Sequence, residues 1–88
     1  MLDSQLTHLP RSISTPVDQH VGRRIRGKRR ALGLSEENLA VELGVEAVQI
    51  AAYERAVERV PSAHLIRISE VLDVPLSYFF PATRLSNL

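Results

Sequence analysis

Residues 34 to 54, Leu34-Ser35-Glu36-Glu37-Asn38-Leu39-Ala40-Val41-Glu42-Leu43-Gly44-Val45-Glu46-Ala47-Val48-Gln49-Ile50-Ala51-Ala52-Tyr53-Glu54, decide the fold. Ser35 is a good helix N-cap, and Glu36 and Glu37 behind it sit favourably at the positive end of the helix dipole. Leu39, Ala40 and Leu43 recur at helical spacing and form a buried stripe. Gly44 adopts left-handed backbone without strain, so it ends this helix and lets Val45 tuck under the turn. A second short helix runs from about Glu46 or Ala47 to Arg55, with Ile50 and Tyr53 inward. Two short helices pivoting on a glycine are the layout of a helix-turn-helix.

On the N-terminal side the pattern predicts a helix from Asp18, as N-cap, to Leu32, with Val21, Ile25 and Leu32 facing inward and Gly33 ending it. Arg23 to Arg30 carries six cations in eight residues. Arg26 and Arg30 lie four apart and repel, and Gly27 costs about 1 kcal/mol relative to Ala in a helix interior. Core packing or an anionic partner must therefore stabilise this helix. Residues 1–17 contain two prolines and no sustained periodicity, and read as a flexible arm in which Leu2, Leu6 and Leu9 can share one face before Pro10.

On the C-terminal side Pro61-Ser62 start a fourth helix, in which Leu65, Ile68 and Leu72 repeat at helical spacing. Asp73-Val74-Pro75 breaks it. Leu76 to Phe80 is too short to be helical alone, so Leu76, Phe79 and Phe80 must pack on the domain or on a second copy. The expected architecture is all-α: a flexible arm at 1–17, a compact five-helix domain at 18–80 and a tail at 81–88.

With 88 residues the chain makes one domain, small enough that oligomerisation is a natural source of added stability. The absence of Cys excludes disulfides and thiolate metal sites, and no apolar run is long enough to cross a bilayer, which points to a cytoplasmic protein without membrane or cofactor. The net charge is only +1, yet it is unevenly spread, because five glutamates face a single arginine between Ser35 and Arg55. His8, His20 and His64 lie far apart with no nucleophile or carboxylate at a familiar spacing, so neither an active site nor a metal site emerges.

Arg29, Gly33-Leu34-Ser35, Leu39-Ala40, Leu43-Gly44-Val45, Ile50, Tyr53-Glu54-Arg55 and Leu72-Asp73-Val74-Pro75-Leu76 together resemble the Xre/Cro, or lambda-repressor-like, family of helix-turn-helix regulators. The resemblance spans about Val21 to Phe80. It implies that the third helix enters the DNA major groove, that the start of the second helix and the loop after the third hold phosphates, and that the chain binds duplex as a homodimer. Residue by residue, it makes Arg29 and Glu54 a structural ion pair. It places Glu36, Glu46, Ala47, Val48, Gln49, Ala52, Arg55 and Arg59 at DNA-contacting positions, and Leu76, Phe79 and Phe80 at the dimer contact.

The chain departs from the family at the reading surface. Glu36 stands where a Gln often touches DNA, and its carboxylate repels phosphate. Ala47, Val48 and Ala52 replace amide or basic side chains, which leaves Gln49 as the one side chain of the third helix able to pair with a base edge in bidentate fashion. Ala56 replaces a common Gly. Two functions follow as expectations. One is a DNA-binding transcriptional regulator whose specificity rests on Gln49, methyl contacts and DNA shape. The other is a helix-turn-helix repurposed to bind a protein partner through the third helix or the arm, as an adaptor, antirepressor or co-regulator.

Overall fold

The computed structural model describes residues 14–82. Within these residues lie four α-helices and one 3-10 turn: α1 Pro16–Ala31, α2 Glu36–Leu43, α3 Ala47–Glu54, α4 Ser62–Leu72, and the 3-10 helix Leu76–Phe79. The fifth helix expected from sequence is thus a single 3-10 turn, because Pro75 and Pro81 leave room for no more. The expected face on Leu2, Leu6 and Leu9, most of the arm and most of the 81–88 tail lie outside the described residues.

α1 begins before Asp18. Thr15 is the N-cap, accepting from the Asp18 N–H at 3.0 Å while Asp18 accepts from the Thr15 N–H at 3.0 Å. Asp18 is therefore the third helical residue of a capping box, and Pro16 fits the first turn, where no partner is needed for the missing N–H. Pro16 and Val17, expected in the arm, belong to the helix. Leu32, expected inward, is the exposed C-cap.

All four helices end in one backbone device. After α1, Gly33 N–H donates to Arg30 C=O and Leu34 N–H to Arg29 C=O. The same pair of bonds recurs around Gly44 and Val45, Ala56 and Val57, and Asp73 and Val74. This is the Schellman arrangement, which places a left-handed residue just past the helix and satisfies the last carbonyls. Gly33 and Gly44 take that conformation freely, whereas Ala56 (φ 60°) and Asp73 (φ 59°) do so against their Cβ atoms.

Every element contributes to one core, whose fully buried side chains are Ile25 from α1, Leu39 from α2, Ile50 from α3, Ile68 and Leu72 from α4, and Phe79 from the 3-10 turn. α1 packs against α3, α4 and the 3-10 turn, and α2 against α3 and α4. The close approach of α1 to α3 depends on Gly22: a Cβ there would lie 2.5 Å from the Glu54 carbonyl oxygen and 2.7 Å from that of Tyr53. These oxygens belong to backbone, so relief requires α3 to shift. Gly22→Ala is expected to lower stability by about 1–3 kcal/mol, read as a lower urea midpoint, whereas Gly27→Ala meets nothing within 4 Å and should stabilise.

Candidate nucleic-acid interface

α3 has two sides with different chemistry. Ile50 and Tyr53 enter the core, while Val48 on the opposite side is 70% exposed and Ala51 and Ala52 are half-buried. Ala47 also packs partly against the core. Glu46 occupies the N-cap but makes no side-chain cap bond, so its exposed carboxylate carries no structural duty. Gln49 is half-buried, and its Nε2 donates to Glu58 Oε1 at 2.7 Å. The Tyr53 hydroxyl meets His64 Nδ1 at 2.7 Å, tying α3 to α4. Burial chiefly, and the Glu58 charge second, push the Tyr53 phenol up against a smaller lowering by a hydrogen bond with Gln49.

Arg29 and Glu54 join α1 to the end of α3. Arg29 donates from Nε to Glu54 Oε2 at 2.6 Å, from Nη2 to Glu54 Oε1 at 3.0 Å and from Nη1 to the Leu34 carbonyl at 2.7 Å. Both side chains are buried, and the Glu54 hydrogen bonds outweigh the cost of burial to hold the guanidinium firmly charged. Leu34 sits at the corner leading into α2, so one side chain braces three elements.

Around this pair lies a polar recess of about 200 Å³ lined by Arg26, Arg29, Arg30, Glu36, Glu54 and Arg55. Arg26, Arg30 and Arg55 are exposed, and none of the three lies within 4.0 Å of a carboxylate among the described residues. Glu36 approaches Arg29 Nη2 at 4.0 Å, which partly spends its charge within the molecule. Of the eight residues expected at DNA-contacting positions the recess gathers only Glu36 and Arg55, beside the structural ion pair of Arg29 and Glu54. Arg26 and Arg30 join them, and their spacing of four on a basic helix was the signal available in sequence.

Arg59 sits elsewhere. It holds Asp18 at the start of α1, with Nε 3.1 Å from Oδ1. Burial raises the Asp18 carboxyl, but the Thr15 N–H and Arg59 outweigh that and keep it below its usual range. A phosphate would have to compete with Asp18 for Arg59. The three residues expected at a dimer contact also separate, since Phe79 is fully buried whereas Leu76 and Phe80 are 41% and 43% exposed. Beside them Arg24 stacks over the Tyr78 ring at 3.9 Å and donates to its carbonyl, fastening the 3-10 turn to α1. No helix among the described residues is long and apolar enough to cross a membrane.

Comparison with known proteins places residues 25–79 under the family model described as helix-turn-helix. An HTH-type transcriptional regulator of Sinorhizobium medicae is 48% identical over 65 residues, covering 74% of this chain and 47% of that protein. The chain spans about half the length of such curated relatives. Among solved structures, the restriction-modification controller protein C.AhdI of Aeromonas hydrophila superposes with a TM-score of 0.67 at 29% identity, over 70% of this chain and 94% of that one. The P22 c2 repressor, solved in complex with a synthetic operator, gives 0.66 at 27% identity, over 72% and 96%.

Proposed function

The chain belongs to the lambda-repressor-like helix-turn-helix family of transcriptional regulators, and from that premise we propose that it binds duplex DNA with α3 in the major groove and the Arg26, Arg30 and Arg55 recess on the sugar-phosphate backbone. The carrying observation is that recess: three exposed guanidiniums, without carboxylate partners among the described residues, ring the junction of α1, α2 and α3. They offset the repulsion of Glu36, whose charge already leans on Arg29. Gln49 offers the amide for a base edge, and Val48 and Ala52 offer methyl groups that can meet a thymine methyl. In this reading affinity is mostly electrostatic and discrimination narrow.

Replacing Arg26, Arg30 and Arg55 together with Gln tests it. The slope of log affinity against log salt is expected to become shallower by about 0.9 for each phosphate that is no longer neutralised, with the helical circular dichroism unchanged. A slope equal to the wild type would remove the recess from the interface.

A second reading has its own observation, the exposed apolar Val48 beside half-buried alanines, a surface that can dock a partner helix. Such a contact would respond little to salt. Self-association through Leu76 and Phe80 completes the proposal, since a two-fold pair of chains would set two α3 helices on successive turns of a duplex in the cytoplasm.

A further inference from the structure

We infer that Glu58 is a specificity-determining positioning residue: it fixes which end of the Gln49 amide is left for a base. This rests on the proposed insertion of α3 in the major groove. The amide of Gln49 has a donating end and an accepting end, and the two readily exchange places by rotation. A carboxylate can only accept. The 2.7 Å contact to Glu58 Oε1 therefore commits the amide nitrogen to Glu58 and leaves the carbonyl oxygen as the unpaired end.

The backbone makes this pairing possible across nine residues. Ala56 turns left-handed at the end of α3, and the N–H groups of Val57 and Glu58 both return to the Ala52 carbonyl, at 2.9 and 3.3 Å. The chain is thus folded back along α3 instead of continuing away from it, and Glu58 comes alongside Gln49. Glu58 is exposed and Gln49 half-buried beside Tyr53, so the pair stands at the outer rim of α3.

The chemistry of base edges turns this orientation into a choice. An accepting carbonyl pairs with the exocyclic amino groups of adenine and cytosine, and with adenine the second amide N–H can also reach N7. A donating end would instead favour guanine, with O6 and N7, or thymine, with O4. Glu58 consequently favours amino-bearing bases over guanine and thymine at the position Gln49 reads. Its negative charge also weakens attraction to phosphate, so it trades affinity for discrimination.

The full chain can be tested by selection from a pool of DNA duplexes randomised over the span of one operator, followed by titration of single-base variants. Wild type is expected to prefer adenine or cytosine at one position, and Gln49→Ala to lose that preference. Glu58→Ala and Glu58→Gln should each reduce the preference at that position by about tenfold and leave the other positions unchanged. In a Gln49→Ala background, Glu58→Ala should change no base preference and only raise affinity for every duplex alike. If Glu58→Ala raises affinity by one common factor while preserving the wild-type preferences, or if wild type favours guanine or thymine at the Gln49-dependent position, this inference fails while groove insertion stands. A Gln49→Ala chain that keeps every preference overturns both.

Discussion

Glu54→Ala is expected to remove most of the stability of the fold. The substitution removes both carboxylate oxygens that receive Arg29, leaving a buried guanidinium with only the Leu34 carbonyl at 2.7 Å and the Glu36 carboxylate at 4.0 Å. Breaking a buried pair by removing one partner costs about 3–5 kcal/mol, comparable with the roughly 5 kcal/mol that is the lower end of total stability for small domains. Glu54→Gln, which keeps one acceptor and the shape, should cost less. Removing both charges together, as in Arg29→Met with Glu54→Leu, should be close to neutral, because the desolvation of both ions disappears with their attraction. Urea denaturation followed by circular dichroism ranks the three. A Glu54→Ala loss below about 1 kcal/mol would mean that the pair behaves as a solvent-screened surface bridge.

Phe79→Ala should have an effect of similar size for a different reason. Its ring is fully buried and meets Tyr78 edge to face, with centroids 5.4 Å apart, while closing the core against α1 and α4. Emptying such a site costs about 3–5 kcal/mol through lost transfer energy and the cavity left behind. Phe80→Ala, one residue on, removes a half-exposed ring and should cost less than about 1 kcal/mol of stability. If Leu76 and Phe80 form the contact between copies, that milder variant should shift sedimentation toward the monomer while keeping the helical signal. A Phe80→Ala chain that sediments like wild type would rule out this contact.

The adjacent phenylalanines show where sequence reading stops. Apolar character marks both as packing residues, but a single 3-10 turn sends neighbours in different directions, and only the positions of α1 and α4 decide which one is covered. The helix-turn-helix was legible because its signals are local: Ser35 caps within one turn, Gly44 needs no distant partner, and Leu39, Ala40 and the partly buried Leu43 share one helical face. The start of α1 was less so, since Thr15 and Asp18 are both good caps and form one reciprocal device. Gly22 and Gly27 look alike in sequence, and only the carbonyls of Tyr53 and Glu54 distinguish them.

The candidate interface was legible in its residue types and less in their pairing. That Gln49 is the one amide α3 could offer to a base follows from chemistry alone. Its bond to Glu58 depends on a left-handed alanine, and the bond of Arg59 to Asp18 spans 41 positions. Such pairings arise from the tertiary path and leave no periodic trace. Arg26, Arg30 and Arg55 likewise converge only because α1 and α3 lie close enough to be clamped by Arg29 and Glu54.

The way α3 is bounded has an evolutionary consequence. Its inner side is held by Ile50 and Tyr53, its far end by backbone hydrogen bonds around Ala56, and its near end needs no side chain from Glu46. Val48, exposed and outside the core, is thereby relieved of architectural obligations, so duplicated copies can diverge at this position and acquire new targets without jeopardising the shared framework.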